Sequence, residues 1–157
     1  MKKLISSDLV AVAAMVSALA LAACGTEPDE GDHHEPHEVE LVMGGIVLAT
    51  YEVEETSWEV HVPLAVDAGE ETSQIEVRFL DDEGDELHFE DEEEEVTLGV
   101  KVANEAIAEF VQSAPGAFTG KFRGKMEGET GVTIELLHGT HADVTTRPLQ
   151  VKVNAAG

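Results

Sequence analysis

The chain is 157 residues long, with 33 Asp and Glu against 9 Lys and Arg and a formal net charge of −24 at pH 7. A surface this acidic repels nucleic acid and anionic lipid headgroups, which excludes both as electrostatic partners and leaves cations as the natural small ligands. The length gives room for one domain and a tether, and a single cysteine excludes an internal disulfide, so the folded part depends on its apolar core.

At the N-terminus, Lys2 and Lys3 precede an apolar stretch, residues 9–20, with Asp8 at its start. A charged start, a short apolar segment and small residues before a cleavage point are the layout of a secretory signal peptide. The stretch falls short of the roughly 20 residues that span a bilayer. The run Leu21-Ala22-Ala23-Cys24 that follows resembles the lipobox of bacterial lipoproteins. The resemblance implies cleavage before Cys24, lipidation of Cys24 and attachment to the membrane through that lipid, at the bacterial cell envelope. Gly25 resembles the residue found in lipoproteins sent to the outer membrane, where the source has two membranes. Residues 1–23 are therefore read as signal peptide. Residues 24–40, CGTEPDEGDHHEPHEVE, have no apolar periodicity and are read as a disordered, acidic, His-rich tether.

Residues 41–157 are read as the folded domain. From Leu41 the pattern changes to alternation, the mark of half-buried antiparallel strands. Residues 45–53 form a first candidate strand. Trp58, Val60, Val62 and Leu64 share one parity, with Glu59, His61 and Pro63 on the other. Ile75, Val77 and Phe79 alternate with Glu76 and Arg78. A short run at 87–89 turns His88 outward. Val96, Leu98, Val100 and Val102 alternate with Thr97, Gly99 and Lys101. Residues 103–111 fit two periods, helical through Ala103, Ile107, Phe110 and Val111, or extended through Ala106, Ala108 and Phe110. Phe118, Phe122 and Met126 alternate with Lys121, Arg123 and Lys125. Val132, Ile134 and Leu136 come next, then Leu149, Val151 and Val153. Gly with Asp or Glu marks turns at 67–70, 82–85 and 127–129.

Short strands at regular spacing predict an all-β fold, an antiparallel β-sandwich. Its predicted core includes Trp58, Val77, Phe79, Val100, Phe122 and Ile134. Residues 64–153 resemble bacterial immunoglobulin-like domains in their acidic turn after Phe79-Leu80 and their closing strand at 149–153. The resemblance implies an immunoglobulin-like sandwich and leaves its role open, since that architecture serves many.

Among the seven histidines, two groups stand out. His33, His34 and His37 lie in the tether among Asp32, Glu35 and Glu38. His138 and His141 flank Gly139-Thr140, with Asp143 close by. Imidazole is the common side-chain ligand of zinc, and His-x-x-His across a turn can place two rings on one ion. Two imidazoles leave a tetrahedral ion half-coordinated, so Asp143, water or the folded-back tether would complete it. One shared site and two separate sites both fit. His61 and His88 read as surface residues. The acidic residues 81–86 and 90–95 do not space like an EF-hand loop. Counted from Asp81, Gly84 falls fourth rather than sixth. They read as solvated charge. No Gly-x-Ser-x-Gly, phosphate loop or His-Glu-x-x-His is present, so the sequence predicts no enzyme. Lys121, Arg123 and Lys125 form the only basic stripe and are expected to pair with acidic cross-strand neighbours.

Two functions fit these features. The first is an envelope-anchored lipoprotein that takes up a divalent transition metal, zinc by preference, for buffering or for delivery to an envelope transporter or receptor. The second is an immunoglobulin-like interaction module on a lipid stalk, with its histidines incidental.

Overall fold

Alternation carries most of the chain into strands, and the register between them decides which faces are buried. The computed structural model describes residues 35–89 and 96–157. Cys24, His33, His34, the proposed signal peptide and the acidic run 90–95 lie outside the described residues.

Among the described residues eleven strands form two packed sheets. They are β1 (Glu38–Met43), β2 (Ile46–Glu52), β3 (Ser57–Val60), β4 (Leu64–Asp67), β5 (Ile75–Leu80), β6 (Val96–Val102), β7 (Ala108–Gln112), β8 (Thr119–Gly124), β9 (Gly128–His138), β10 (His141–Thr145) and β11 (Leu149–Asn154). The first sheet runs β3-β2-β1-β5-β8-β7. In the second, β9 takes β6 along one side and β10 then β11 along the other, and β11 carries β4. The predicted β-sandwich is what forms, with one departure from antiparallel pairing: β4 and β11 run parallel.

The core lies between the sheets. Val39, Leu41, Tyr51, Val77, Phe79 and Phe122 face Leu98, Ile134, Leu136 and Val151 across it. Four of the six predicted core residues, Val77, Phe79, Phe122 and Ile134, are at most 2% exposed. Val100 is only half-buried, because β6 pairs with β9 alone and sits at the margin of its sheet. Trp58 is also half-buried, packed on the core and held by its indole N–H, which donates to Arg147 O at 2.6 Å.

Trp58 belongs to the main correction. The run 58–64 is not one strand. It breaks at residues 61–63, leaving β3 in the first sheet and sending β4 to the second. Val60 and Val62 keep the apolar parity but are 49% and 41% exposed. The expected run through Met126 also ends early. Met126 is 52% exposed, and β8 stops at Gly124. Inward positions of β8 on either side of Phe122 are glycines because other groups fill the space. A Cβ at Gly120 would meet the Phe110 ring at 2.4 Å, and one at Gly124 would meet Asp67 O at 2.5 Å.

The two-period segment resolves as a turn followed by a strand. Asn104 Oδ1 accepts from Ala106 N, Asn104 O accepts from Ile107 N, and β7 begins at Ala108. Residues 87–89 pack Leu87 and Phe89 on the core without forming a named strand. The expected turn at 127–129 lies slightly earlier, since Gly128 already opens β9. At the N-terminal side, β1 takes in Glu38, Val39 and Glu40, residues read from sequence as tether. Val39 is fully buried, and β1 pairs with both β2 and β5.

Candidate interaction surface

Among the described residues the first sheet ends on two strands, β3 and β7. The partner strand β2 holds β3 through alternate residues. His61 N–H donates to Leu48 O, and on the other side of β2 Val53 N–H donates to His37 O. Antiparallel ladders alternate between bonded and non-bonded pairs. With the registers Glu52↔Ser57 through Ala49↔Val60, this alternation directs the backbone of Ser57 and Glu59 toward β2. The N–H and C=O of Trp58 and Val60 point the other way, and among the described residues no strand lies beyond them.

The two faces of β3 differ. Trp58 and Val60 lie opposite the buried Tyr51 and Ala49, on the core side. The Trp58 ring packs against Tyr51 at 5.1 Å between centroids. Val60 stays 49% exposed although it shares that side. On the solvent side, Glu59 is opposite Thr50, which is opposite Glu40. One row along, Ser57, Glu52 and Glu38 line up. Glu38 and Glu52 form a non-bonded pair, where side chains approach most closely. Like charges directly opposite are unfavourable. Partial burial, and then repulsion from Glu38, Glu55, Glu59 and Glu54, push the Glu52 carboxyl above its ordinary value. His37, Glu38, Glu52, Glu54, Glu55, Asp81 and Asp82 line a shallow hollow of about 240 Å³.

The opposite end of the same sheet is charged but neutralised. Arg123 donates to Glu71 at 2.6 Å and to Glu109 at 2.8 Å. Lys121 lies 3.7 Å from Glu71, and Lys125 pairs with Glu109. Arg123 holds the Glu71 carboxyl below its ordinary value, and Lys125 does the same for Glu109. The expected pairing of the basic stripe is thus present, with Glu109 directly across from Arg123.

The proposed metal ligands are only partly brought together. His138 and His141 are register partners across the Gly139-Thr140 hairpin, where Gly139 takes the left-handed conformation at φ 57°. His138 Nδ1 lies 3.6 Å from Asp143, the extra residue of a bulge in β10. His138 is half-buried at the strand end, not enclosed with Ile134 and Leu136. His37 enters the β1 ladder, its N–H donating to Leu80 O at 2.8 Å. It lines the acidic hollow, whose walls include neither His138 nor His141. Among the described residues no group of three or more His, Cys, Asp or Glu is arranged to hold a metal ion. Asp81 shapes the acidic turn itself, its carboxylate accepting from Glu83 and Asp85 N–H at 2.9 Å.

A second hollow, of about 330 Å³, lies near the start of β6 beside Phe79, Phe89 and Phe118. Phe89 and Phe118 stack at 5.5 Å with Phe79 edge-on to both. Glu76, Arg78 and Glu86 line it, and Arg78 pairs with both glutamates.

No protein-family model matches the sequence, and no curated protein matches it either. Among solved structures, domains 5–6 of the S-layer protein SbsC align with 60% of this chain at 22% identity and a TM-score of 0.45. Domains 4 and 5 of the same protein align with 60% at 21% identity and a TM-score of 0.41. The chain spans 41% and 47% of those two structures, less than half of each.

The edge strand was hidden by the very alternation that revealed the other strands. Pro63 was the available signal. Proline cannot donate to a ladder, so it marks an apolar run as a sheet edge or an ending.

Proposed function

We propose that this chain is a non-enzymatic interaction module that binds another polypeptide by adding a strand to the open edge of β3. The observation that carries the reading is the outward-facing backbone of Trp58 and Val60 beside exposed Val60 and Val62. Soluble proteins ordinarily cover or blunt such an edge, and strand addition is an established mode of peptide recognition. The proposed location is the bacterial cell envelope, with Cys24 lipidated. This part rests on Leu21-Ala22-Ala23-Cys24, and Cys24→Ser should abolish labelling by a fatty-acid analogue.

A photo-crosslinking residue placed at position 62 in the intact host should give a discrete protein adduct, and one at Lys101 on β6 should give none. Equal labelling from both positions, or none from 62, would count against the edge as the working surface.

Zinc capture is the competing proposal, and the observation in its favour is the His138–His141 register pair. It requires ligands beyond that pair and Asp143. If low-micromolar Zn²⁺ raises the melting temperature of wild type but not of a His138→Ala/His141→Ala variant, the metal reading takes precedence.

A further inference from the structure

We infer that the partner of the β3 edge is a cationic strand in which Lys or Arg alternates with apolar residues. The inference deepens the strand-addition reading and rests on it. A strand joined to β3 would bond to the outward N–H and C=O of Trp58 and Val60. Its side chains would then fall alternately on the two faces of the sheet. Those opposite Trp58 and Val60 would lie on the core side, against the indole and the exposed Val60 side chain, and would have to be apolar. Those opposite Ser57 and Glu59 would lie on the solvent side. There the nearest charges are Glu59 and, one strand further in, Glu52.

This solvent face favours cations. Burial and four carboxylates, Glu38, Glu55, Glu59 and Glu54, raise the Glu52 carboxyl, and the imidazole on this face, His61, lies 3.9 Å from Glu59. Arg78, the cation of the same face on β5, is already held by Glu76 at 2.7 Å and lies 3.7 Å from Glu86. An acidic strand would add to the repulsion. A second copy of this chain would do the same. Antiparallel β3–β3 pairing through Trp58 and Val60 sets Glu59 against its own counterpart, on a chain of net charge −24. The fold already contains the complementary pattern at its other end. There β8 alternates Lys121 and Arg123 with Gly120 and the buried Phe122, and it lies between Glu109 and Glu71.

The test measures binding of the full chain to four peptides of about six residues, the ordinary strand length. One alternates Lys with Val, one Gln with Val and one Glu with Val. The fourth is the Lys–Val peptide with alternate backbone nitrogens methylated. The Lys–Val peptide should bind at least about tenfold more tightly than Gln–Val at low salt, and the advantage should shrink as salt screens it. Glu–Val should not bind. Methylation should abolish binding, because it removes the ladder donors. Val60→Pro should also abolish it, since the Val60 N–H bonds to nothing in β2. Glu59→Lys should weaken Lys–Val about tenfold, and it tests the charge independently of any effect of proline on folding. If Gln–Val binds as well as Lys–Val, the cationic partner is overturned and strand addition stands. If the methylated peptide binds as well as its parent, strand addition falls and the inference with it. If none of the peptides binds, the inference is overturned, and crosslinking at position 62 judges the edge by itself.

Discussion

The two ends of the first sheet both carry carboxylates, with opposite outcomes. At β7–β8, Glu71 and Glu109 are held by cations of β8 and by Lys125 just after it, and their carboxyls are held below the ordinary value. At β1–β2–β3, among the described residues, Glu38, Glu52 and Glu59 have no Lys or Arg partner, Glu59 lying only 3.9 Å from His61 Nδ1, and the Glu52 carboxyl is pushed up. One end completes its electrostatics within the chain. The other leaves a negative field beside an open backbone edge. The net charge of the whole chain does not reveal this contrast. Which strands are neighbours does, and neighbours are set by topology.

Truncation should separate the ends most sharply. Phe122 is fully buried and packs on Phe110 at 4.9 Å. Phe122→Ala should cost about 3–5 kcal/mol in chemical denaturation. Val60→Ser at the other end should change stability by no more than about 0.5 kcal/mol, as exposed substitutions generally do. A Val60→Ser loss as large as that of Phe122→Ala would mean that β3 is covered and the edge is not open.

Charge removal should act with opposite signs at the two ends. Arg123→Ala strips both Glu71 and Glu109 of a partner and should lower the melting temperature, with the loss shrinking in high salt. Glu52→Gln removes a repelled charge and should raise it slightly, again less in high salt. If both variants shift stability in the same direction at low salt, the electrostatic contrast between the ends is wrong.

Acid titration should give a smaller effect with two phases. The raised Glu52 carboxyl places a penalty on the folded state that is present above its raised value and relieved as pH falls through it. The lowered Glu71 and Glu109 carboxyls contribute stability above the ordinary carboxylate range. That stability is lost as pH falls through their lowered values. Melting temperatures followed from about pH 7 to about pH 3 should therefore hold or rise before they fall. Glu52→Gln should remove the early gain and leave the later loss.

The sequence made the interior strands legible because a buried face imposes strict alternation. Ile75-Glu76-Val77-Arg78-Phe79 and Leu149-Gln150-Val151-Lys152-Val153 keep it throughout, and both are strands in the structure. Glu38-Val39-Glu40-Leu41 alternates too, but its acidic residues blend with the tether composition, so a strand paired on both sides was hidden. Trp58 to Leu64 misled in the other direction. Parity continues across the sheet switch, and nothing local except Pro63 marks the break. The hairpin that pairs His138 with His141 was readable from Gly139. That no group of three or more metal-ligating side chains forms there among the described residues depends on distant packing, which spacing does not report. That β3 ends its sheet was signalled in the sequence by Pro63 alone, because being an edge is a property of what is missing from one side of a strand.

Backbone hydrogen exchange of the full chain, with and without the Lys–Val peptide, tests the central claim most directly. The account predicts that the Trp58 and Val60 amides exchange freely in the unbound protein and become protected on binding, while the β7–β8 amides are unchanged. Protection of Trp58 and Val60 before any peptide is added, or protection that appears at β7–β8 instead, would contradict it.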